Sequence, residues 1–558
     1  MTSKELREKF LSFFEKRGHQ IVPSSSLLPS DPSVLFTTAG MQQFKEYFLG
    51  KSSPFGANVA TCQKCFRTSD IDEVGDDTHL TFLEMLGNFS FGGYFKEEAI
   101  QLAYEFLFKE LKIPKEEAIF TVFEGYEKVP LDQESIQIWQ NLGIPDNKIK
   151  KCGRADNFWG PTGLEGPCGP TTEIYINGVE VWNVVFNEYY QDQKGNLTFL
   201  NQKGVDTGMG LERLAMIVQK KKNVFETDLF LPILTEILGQ DERVKRIIAD
   251  HIKGAVFLIA DGILPSNIER GYILRRILRR AIKYGKPLNL PKNFLIPLAK
   301  KVIEIYRDIY PELFSKETDI LTVIQDEEEK FEITLFKGLK QFEKISQSGE
   351  VKGEAAFHLF DTYGFPLELT LELAKEKNLK IDIKGFNEAF DKHREISRAG
   401  VESKFGGHGL GQDATGVTVN LHTATHLLHQ ALRQILGNHV KPMGSDITSE
   451  RTRFDFSHSQ KMTDEEIKKV EELVNQKIKE DLEVKREEMS YDDALKSGAM
   501  AFFKKKYPER VTVYSIGNFS KEICGGPHVK RTLEIGHFKI IKEERSGARV
   551  RRIRAVLR

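Results

Sequence analysis

Four side chains with metal-binding chemistry stand in two short strings near the end of the chain. His422 and His426 are separated by one helical turn, which stacks both imidazoles on one helix face, and Cys524-Gly525-Gly526-Pro527-His528 adds a thiolate and a third imidazole. Together His422, His426, Cys524 and His528 form a donor set of the kind that holds a tetrahedral Zn²⁺ ion. His429 lies near the same face and reads equally well as an ordinary helix histidine. Cys62 and Cys65 offer the same ligand type, but no second pair follows at ligand spacing, so zinc is not expected there.

A second chemistry, phosphate binding, rests on arginines. The chain has no GxxxxGK[ST] loop and no strand–GxGxxG–helix unit, so a nucleotide would have to be held otherwise. Arg67 closes a strand-like run, Cys62-Gln63-Lys64-Cys65-Phe66, and Arg213 opens a helix after the Gly-rich Gly204-Val205-Asp206-Thr207-Gly208-Met209-Gly210. Each would present a planar fork to phosphate oxygens, although a lone arginine is more often a surface ion-pair residue. Between residues 267 and 286, seven Lys/Arg stand against one Glu. On a helix Arg275, Arg276, Arg279, Arg280 and Lys283 fall to one side, with Ile273, Leu274 and Ile277 facing inward. A charge run is usually a solvated face; this one, without interleaved acids, reads as a phosphate track.

The elements that must position these residues follow from composition and pattern. A length of 558 residues implies three or four domains, and 39 Phe among 40% apolar residues exclude a disordered chain. Lys plus Arg number 80 against 81 Asp plus Glu, so nucleic-acid binding must come from local patches. No apolar run approaches the ~18 residues of a membrane span. The acidic N-terminal helix fits neither a signal nor a transit peptide, and five cysteines fit a reducing compartment, so a cytoplasmic protein is expected. Strand-like runs at 34–38, 172–176 and 179–186 mark residues 1–230 as antiparallel sheet with flanking helices. Residues 231–400 repeat apolar positions every three or four and read as helical, 401–420 as a Gly-rich linker, and 421–558 as a smaller α+β domain. The fold class expected is α+β multidomain.

Several strings resemble the alanyl-tRNA synthetase family of class II aminoacyl-tRNA synthetases. They are Thr38-Ala39-Gly40-Met41-Gln42-Gln43-Phe44-Lys45, Phe82-Leu83-Glu84-Met85-Leu86-Gly87-Asn88-Phe89-Ser90-Phe91-Gly92, Gly166-Pro167-Cys168-Gly169-Pro170, Val181-Trp182-Asn183 and Val205 to Arg213. The resemblance implies an alanine–tRNA ligase that joins alanine to Mg²⁺-bound ATP as an adenylate and transfers alanyl to the 3′ end of tRNA. By position Arg67 would hold the α-phosphate and Arg213 the γ-phosphate, with Met85 near adenine and Asp206 pairing with the ammonium of alanine. Trp159, Asn183 and Gly208 would line the same site. The basic segment and Phe360-Asp361-Thr362-Tyr363-Gly364-Phe365-Pro366 match the family's tRNA-recognition region, with Asn267 and Asp361 probing an acceptor-stem G·U pair.

The zinc-type constellation resembles the family's editing domain, which hydrolyses seryl- or glycyl-tRNA. Size exclusion separates alanine from serine and glycine by only about 1–3 kcal/mol, so editing is expected somewhere in the system. Here Pro442 and Pro527 depart from the family pattern, each removing a backbone donor, and the Gly-rich barrel that usually precedes the HxxxH helix is missing. The family's C-terminal coiled-coil domain has no counterpart, and a monomer is expected. The arginines from Arg545 onward read either as tRNA contacts or as protection of a strand edge. Two other readings are a catalytically silent tRNA-binding paralogue, which would be expected to lack Arg67, Asp206 or Arg213, and a free-standing editing hydrolase, which would not need residues 1–400.

Overall fold

The computed structural model describes every residue except Pro32, Lys128, Ser348, 403–415, Ser459, 501–508 and 548–549, and the backbone alone for 394–402 and Gly547. Two compact units follow each other along the chain, Met1–Lys337 and Gly338–Arg558. Among the described residues no helix is long and apolar enough to cross a membrane.

The first unit is built on a nine-stranded sheet. Its strands are β1 (Gln20–Ile21), β2 (Asn58–Phe66), β3 (Phe82–Phe91), β4 (Ala118–Phe123), β5 (Ile149–Cys152), β6 (Phe158–Trp159), β7 (Gly166–Ile176), β8 (Val179–Gln191) and β9 (Leu197–Gly210). The order is β1-β2-β3-β9-β8-β7-β4-β5, with β6 on β7, and it is antiparallel apart from the β1–β2 and β4–β5 pairs. The centre consists of long neighbouring strands β7, β8 and β9, whose alternation turns one residue set toward helices and the other toward a cleft. Trp182 on β8 shows the helix side: Phe10 and Phe14 of the N-terminal helix Ser3–Glu15 and Phe106 surround it at ring separations of 5.8–6.4 Å. A reciprocal box between Thr2 and Glu5 caps that helix. The expected strand at 34–38 does not form. Thr37 donates to Leu27 and accepts from Phe66, isolated bonds that hold an extended segment without a ladder.

Helices Glu242–Ala260, Glu269–Gly285 and Leu295–Tyr306 follow the sheet, as the helical spacing predicts. Phe82 stacks on Phe257 at 3.9 Å, joining strand β3 to the first of them.

The second unit opens with helices, Gly353–Tyr363 and Leu367–Glu376 among them, and a short parallel pair β10 (Glu350–Val351) and β11 (Lys380–Ile381). It continues with strands β12 (Pro442–Ile447), β13 (Thr452–Ser457), β14 (Val484–Ser490), β15 (Arg510–Ile516), β16 (Ser520–Ile523), β17 (Phe538–Gly547) and β18 (Val550–Leu557). They form a sheet β12-β13-β18-β17 and a sheet β14-β15-β16. Helix Gly416–Leu436 covers the first sheet through Ala424, Leu428 and Leu432 against Phe454, Phe456 and Ile553. Residues 416–420 of the expected linker thus belong to this helix, and its Gly-rich centre lies outside the described residues. Strand β18 is flanked on both sides, so the strand-edge reading of its arginines fails; Arg551 pairs with Glu543, Arg552 with Asp455 and Arg554 with Glu544.

Candidate functional site

The seven residues assigned to nucleotide and amino-acid binding line one cleft of the first unit, which encloses about 760 Å³ of space open to solvent. Arg67 leaves the end of β2 and Met85 faces in from β3. Asn183 comes from β8, Asp206 and Gly208 from β9, Trp159 from β6, and Arg213 from the first turn of helix Leu211–Val218. The register explains the convergence. Asn183 pairs with Gly208 and Val185 with Asp206, so a two-residue period aims these four positions at one face. A Cβ on Gly208 would meet the Met85 sulfur at 3.0 Å, so glycine is what lets that thioether lie over the strand. The backbone N–H of Gly40 donates to the same sulfur.

Asp206 is buried, and no cation among the described residues pairs with it. Burial alone pushes its carboxyl up to about 8. Arg67 donates through Nε to the carbonyl of Thr38 at 3.3 Å, leaving its guanidinium fork beside the cleft. Arg213 is held by Glu180 at 3.0 Å. Glu180 and Val185 also line the cleft, and sequence reasoning missed both. Val185 was accessible through its two-residue spacing from Asn183, whereas Glu180 carried no local signal.

Matched charges back the cleft and, at Glu212, also line it. Arg7 clasps Glu84 on β3, and Tyr310 donates to the same carboxylate at 2.9 Å. Lys253 donates to Glu212 at 2.8 Å, and Glu212 accepts the backbone N–H of Glu84 at 3.1 Å. Burial opposes the charge on Glu84, but the Arg7 guanidinium overrides it and holds the carboxyl below its ordinary range. Cys62 donates to Glu84 from one face of β2 while Cys65 is buried in the apolar core, so the two thiols do not converge.

The basic helix Glu269–Gly285 differs from the expected phosphate track. Its cations are drawn into partners from elsewhere in the unit. Arg276 pairs with Asp72 at 2.7 Å, Arg279 with Glu327 at 2.7 Å and Arg275 with Glu327 at 3.3 Å. Arg280 donates to the carbonyl of Ile71 and to His251, and Lys283 is buried against the ring of Tyr284. The acids that match this run are distant in sequence, which a local charge count does not register. Asn267 is exposed just before the helix, and its side-chain oxygen accepts from Arg275. In the second unit Asp361 is exposed on helix Gly353–Tyr363, with His393 3.7 Å away.

The four expected metal ligands also converge. His422 and His426 project from helix Gly416–Leu436, and Cys524 and His528 follow β16; their donor atoms lie within 4.8 Å of one another. Each imidazole spends Nδ1 on the protein: His422 on the carbonyl of Pro527, His426 on Glu522 at 3.1 Å, and His528 on the Thr423 hydroxyl. Among the described residues, Nε2 of His528 is buried without a hydrogen-bond partner. Burial opposes a thiolate at Cys524, but hydrogen bonds from the imidazoles override it and pull the thiol well below its ordinary value. One thiolate and three Nε2 lone pairs fit a tetrahedral Zn²⁺ ion, which sets donors about 2.0–2.3 Å from the metal. Glu522, which also accepts from His429 at 2.9 Å, fixes the tautomer of His426 and was missed in sequence reasoning. Pro527 supplies a carbonyl here, so its missing N–H takes nothing from this contact.

The family model described as "tRNA synthetases class II (A)" matches residues 5–441, and "Threonyl and Alanyl tRNA synthetase second additional domain" matches 511–554. The chain belongs to the alanyl-tRNA synthetases. It is 49% identical to the alanine–tRNA ligase of Borreliella afzelii with all of both chains covered, and 47% identical to that of Treponema pallidum over 99% of this chain and 98% of the relative. The alanine–tRNA ligase of Fervidobacterium nodosum is 40% identical over all of this chain and 80% of its own length. The family is one of class II synthetases, which are ATP-dependent ligases.

Proposed function

We propose that the protein is an alanine–tRNA ligase that activates alanine with Mg²⁺-bound ATP in the cleft of the first unit and transfers the alanyl group to the 3′ end of alanine tRNA. The observation that carries this reading is the convergence on one cavity of Arg67, Arg213 and Asp206, a buried carboxyl with no cation among the described residues. A carboxylate buried without a cation is costly, and an ammonium substrate removes that cost. Arg67 and Arg213 would bind the phosphates, Met85 the adenine, and Trp159, Asn183 and Gly208 the amino acid. The reaction needs charge stabilisation and alignment rather than a protein nucleophile, and the cleft supplies guanidinium forks of that kind. Arg213 would exchange Glu180 for the γ-phosphate when ATP enters.

In the second unit Asp361 is the exposed member of the tRNA-recognition set and would contact tRNA; in the first unit, exposed Asn267 and half-buried Arg275 would form a surface for the acceptor stem. Arg276, Arg279 and Arg280 would shape that surface through their internal pairs. His422, His426, Cys524 and His528 would hold one Zn²⁺ ion; four protein donors fill a tetrahedral shell, so the ion would brace the second unit. A cytoplasmic monomer fits the composition and the free cysteines. Alanine-dependent ATP–pyrophosphate exchange tests activation, and aminoacylation of transcripts differing only at the wobble pair tests recognition. Asp361→Ala is expected to cut aminoacylation and spare exchange; equal loss of both rejects its role. Hydrolysis of seryl-tRNA above the uncatalysed rate would add editing to the second unit, and its absence would remove that activity from the reading.

A further inference from the structure

A row of polar side chains runs across the first sheet into the cleft. Thr121 on β4 stands opposite Glu173 on β7, Glu173 opposite Asn183 on β8, and Asn183 opposite Gly208 on β9. Asn183 donates its Nδ2 to Glu173 at 3.0 Å, while the other carboxylate oxygen accepts from Tyr175 at 2.9 Å and Thr121 at 3.4 Å. An ionised carboxylate only accepts, so the bond decides which way the Asn183 amide faces. Its Oδ1 is left buried and, among the described residues, without a partner, on a residue that lines the same cavity as Asp206. Buried amide oxygens are rarely left unpaired, and an acceptor kept open beside an unpaired carboxylate matches a group with several donors, such as an ammonium.

We propose that Glu173 is a positioning residue for the amino acid: it turns the Asn183 oxygen into the cleft, where that oxygen and the Asp206 carboxylate together accept the substrate ammonium. This rests on the reading of the cleft as the alanine site. Burial, with Glu180 and Asp156 nearby, pushes the Glu173 carboxyl up to about 7 against the bonds from Tyr175 and Thr121, so the lock is strongest above that pH. A glutamine at this position would carry both donor and acceptor atoms and would no longer dictate the orientation of Asn183.

The test measures pyrophosphate exchange with Glu173→Gln, Asn183→Ala and the double variant, at a pH above about 7. Glu173→Gln is expected to raise the KM for alanine about tenfold, the size of a lost charge-assisted hydrogen bond, with the KM for ATP unchanged. In the Asn183→Ala background it is expected to add nothing, because the two act as one unit. An unchanged alanine KM in Glu173→Gln overturns the inference, as does an equal rise in both backgrounds or a parallel rise for ATP. If Asn183→Ala itself leaves the alanine KM unchanged, the cleft is not the alanine site and the broader reading falls first. Tyr175→Phe carries the same test if Glu173→Gln does not fold: an increase of about threefold is expected, absent in the Asn183→Ala background, and its persistence there overturns the inference.

Discussion

Asp206 and Glu212 are six residues apart, both buried, and treated in opposite ways. Glu212 is matched by Lys253, and Glu84 beside it by Arg7 and Tyr310, whereas Asp206 has no cation among the described residues. The basic helix follows the matched pattern, its arginines taken up by Asp72, Glu327, a carbonyl and His251. The difference separates two uses of buried charge. Matched groups fix the framework of the cleft, and an open buried carboxyl is what the proposed substrate ammonium would match.

Experiments at three residues, Lys253, Asp206 and Arg280, break or sharpen this contrast. Lys253→Met leaves Glu212 buried without its cation and is expected to lower stability by about 3–5 kcal/mol in urea unfolding. A loss close to zero would mean that the layer behind the cleft is not held by its charges.

Asp206→Ala is expected to lower exchange activity by about a hundred- to a thousandfold, as for loss of a buried charge pair. Asp206→Asn should abolish activity similarly while stabilising the ligand-free protein. The reason is the sign of the shift: an acid whose folded pKa of about 8 exceeds its unfolded value holds its proton more tightly when folded, so stability falls as pH rises through that window. The asparagine variant loses this fall. For the unmodified protein, kcat/KM for alanine is expected to drop about tenfold per pH unit below that pKa, because alanine must then displace a proton. A flat profile would contradict an open carboxylate.

The smallest effect concerns the basic helix. Arg280→Met is expected to cost about 1–3 kcal/mol of stability and to leave the salt dependence of tRNA binding unchanged, since its guanidinium is spent on Ile71 and His251. A salt slope shallower by about 0.7 would instead count Arg280 among phosphate contacts.

How much was legible in the sequence depended on whether a residue's signal was local. His422 and His426 are readable because one helical turn already fixes the face they share, and Arg67 and Arg213 because each sits in a long string that resembles the family. Glu173, Glu180 and Glu522 were not, because each acts on a partner from a different strand or helix, and nothing beside it in the chain marks that partner. The strand expected at 34–38 has suitable side chains, but no neighbouring strand offers it a ladder.

The sequence by itself determined most of the element types, which residues make up the two clusters and, through long ordered strings, the family. Only the tertiary structure decided which charges are matched. Hydrophobic periodicity is local, whereas a buried ion is stabilised by partners that folding brings from far along the chain, as Asp72 reaches Arg276 across 204 residues and Lys253 reaches Glu212 across 41.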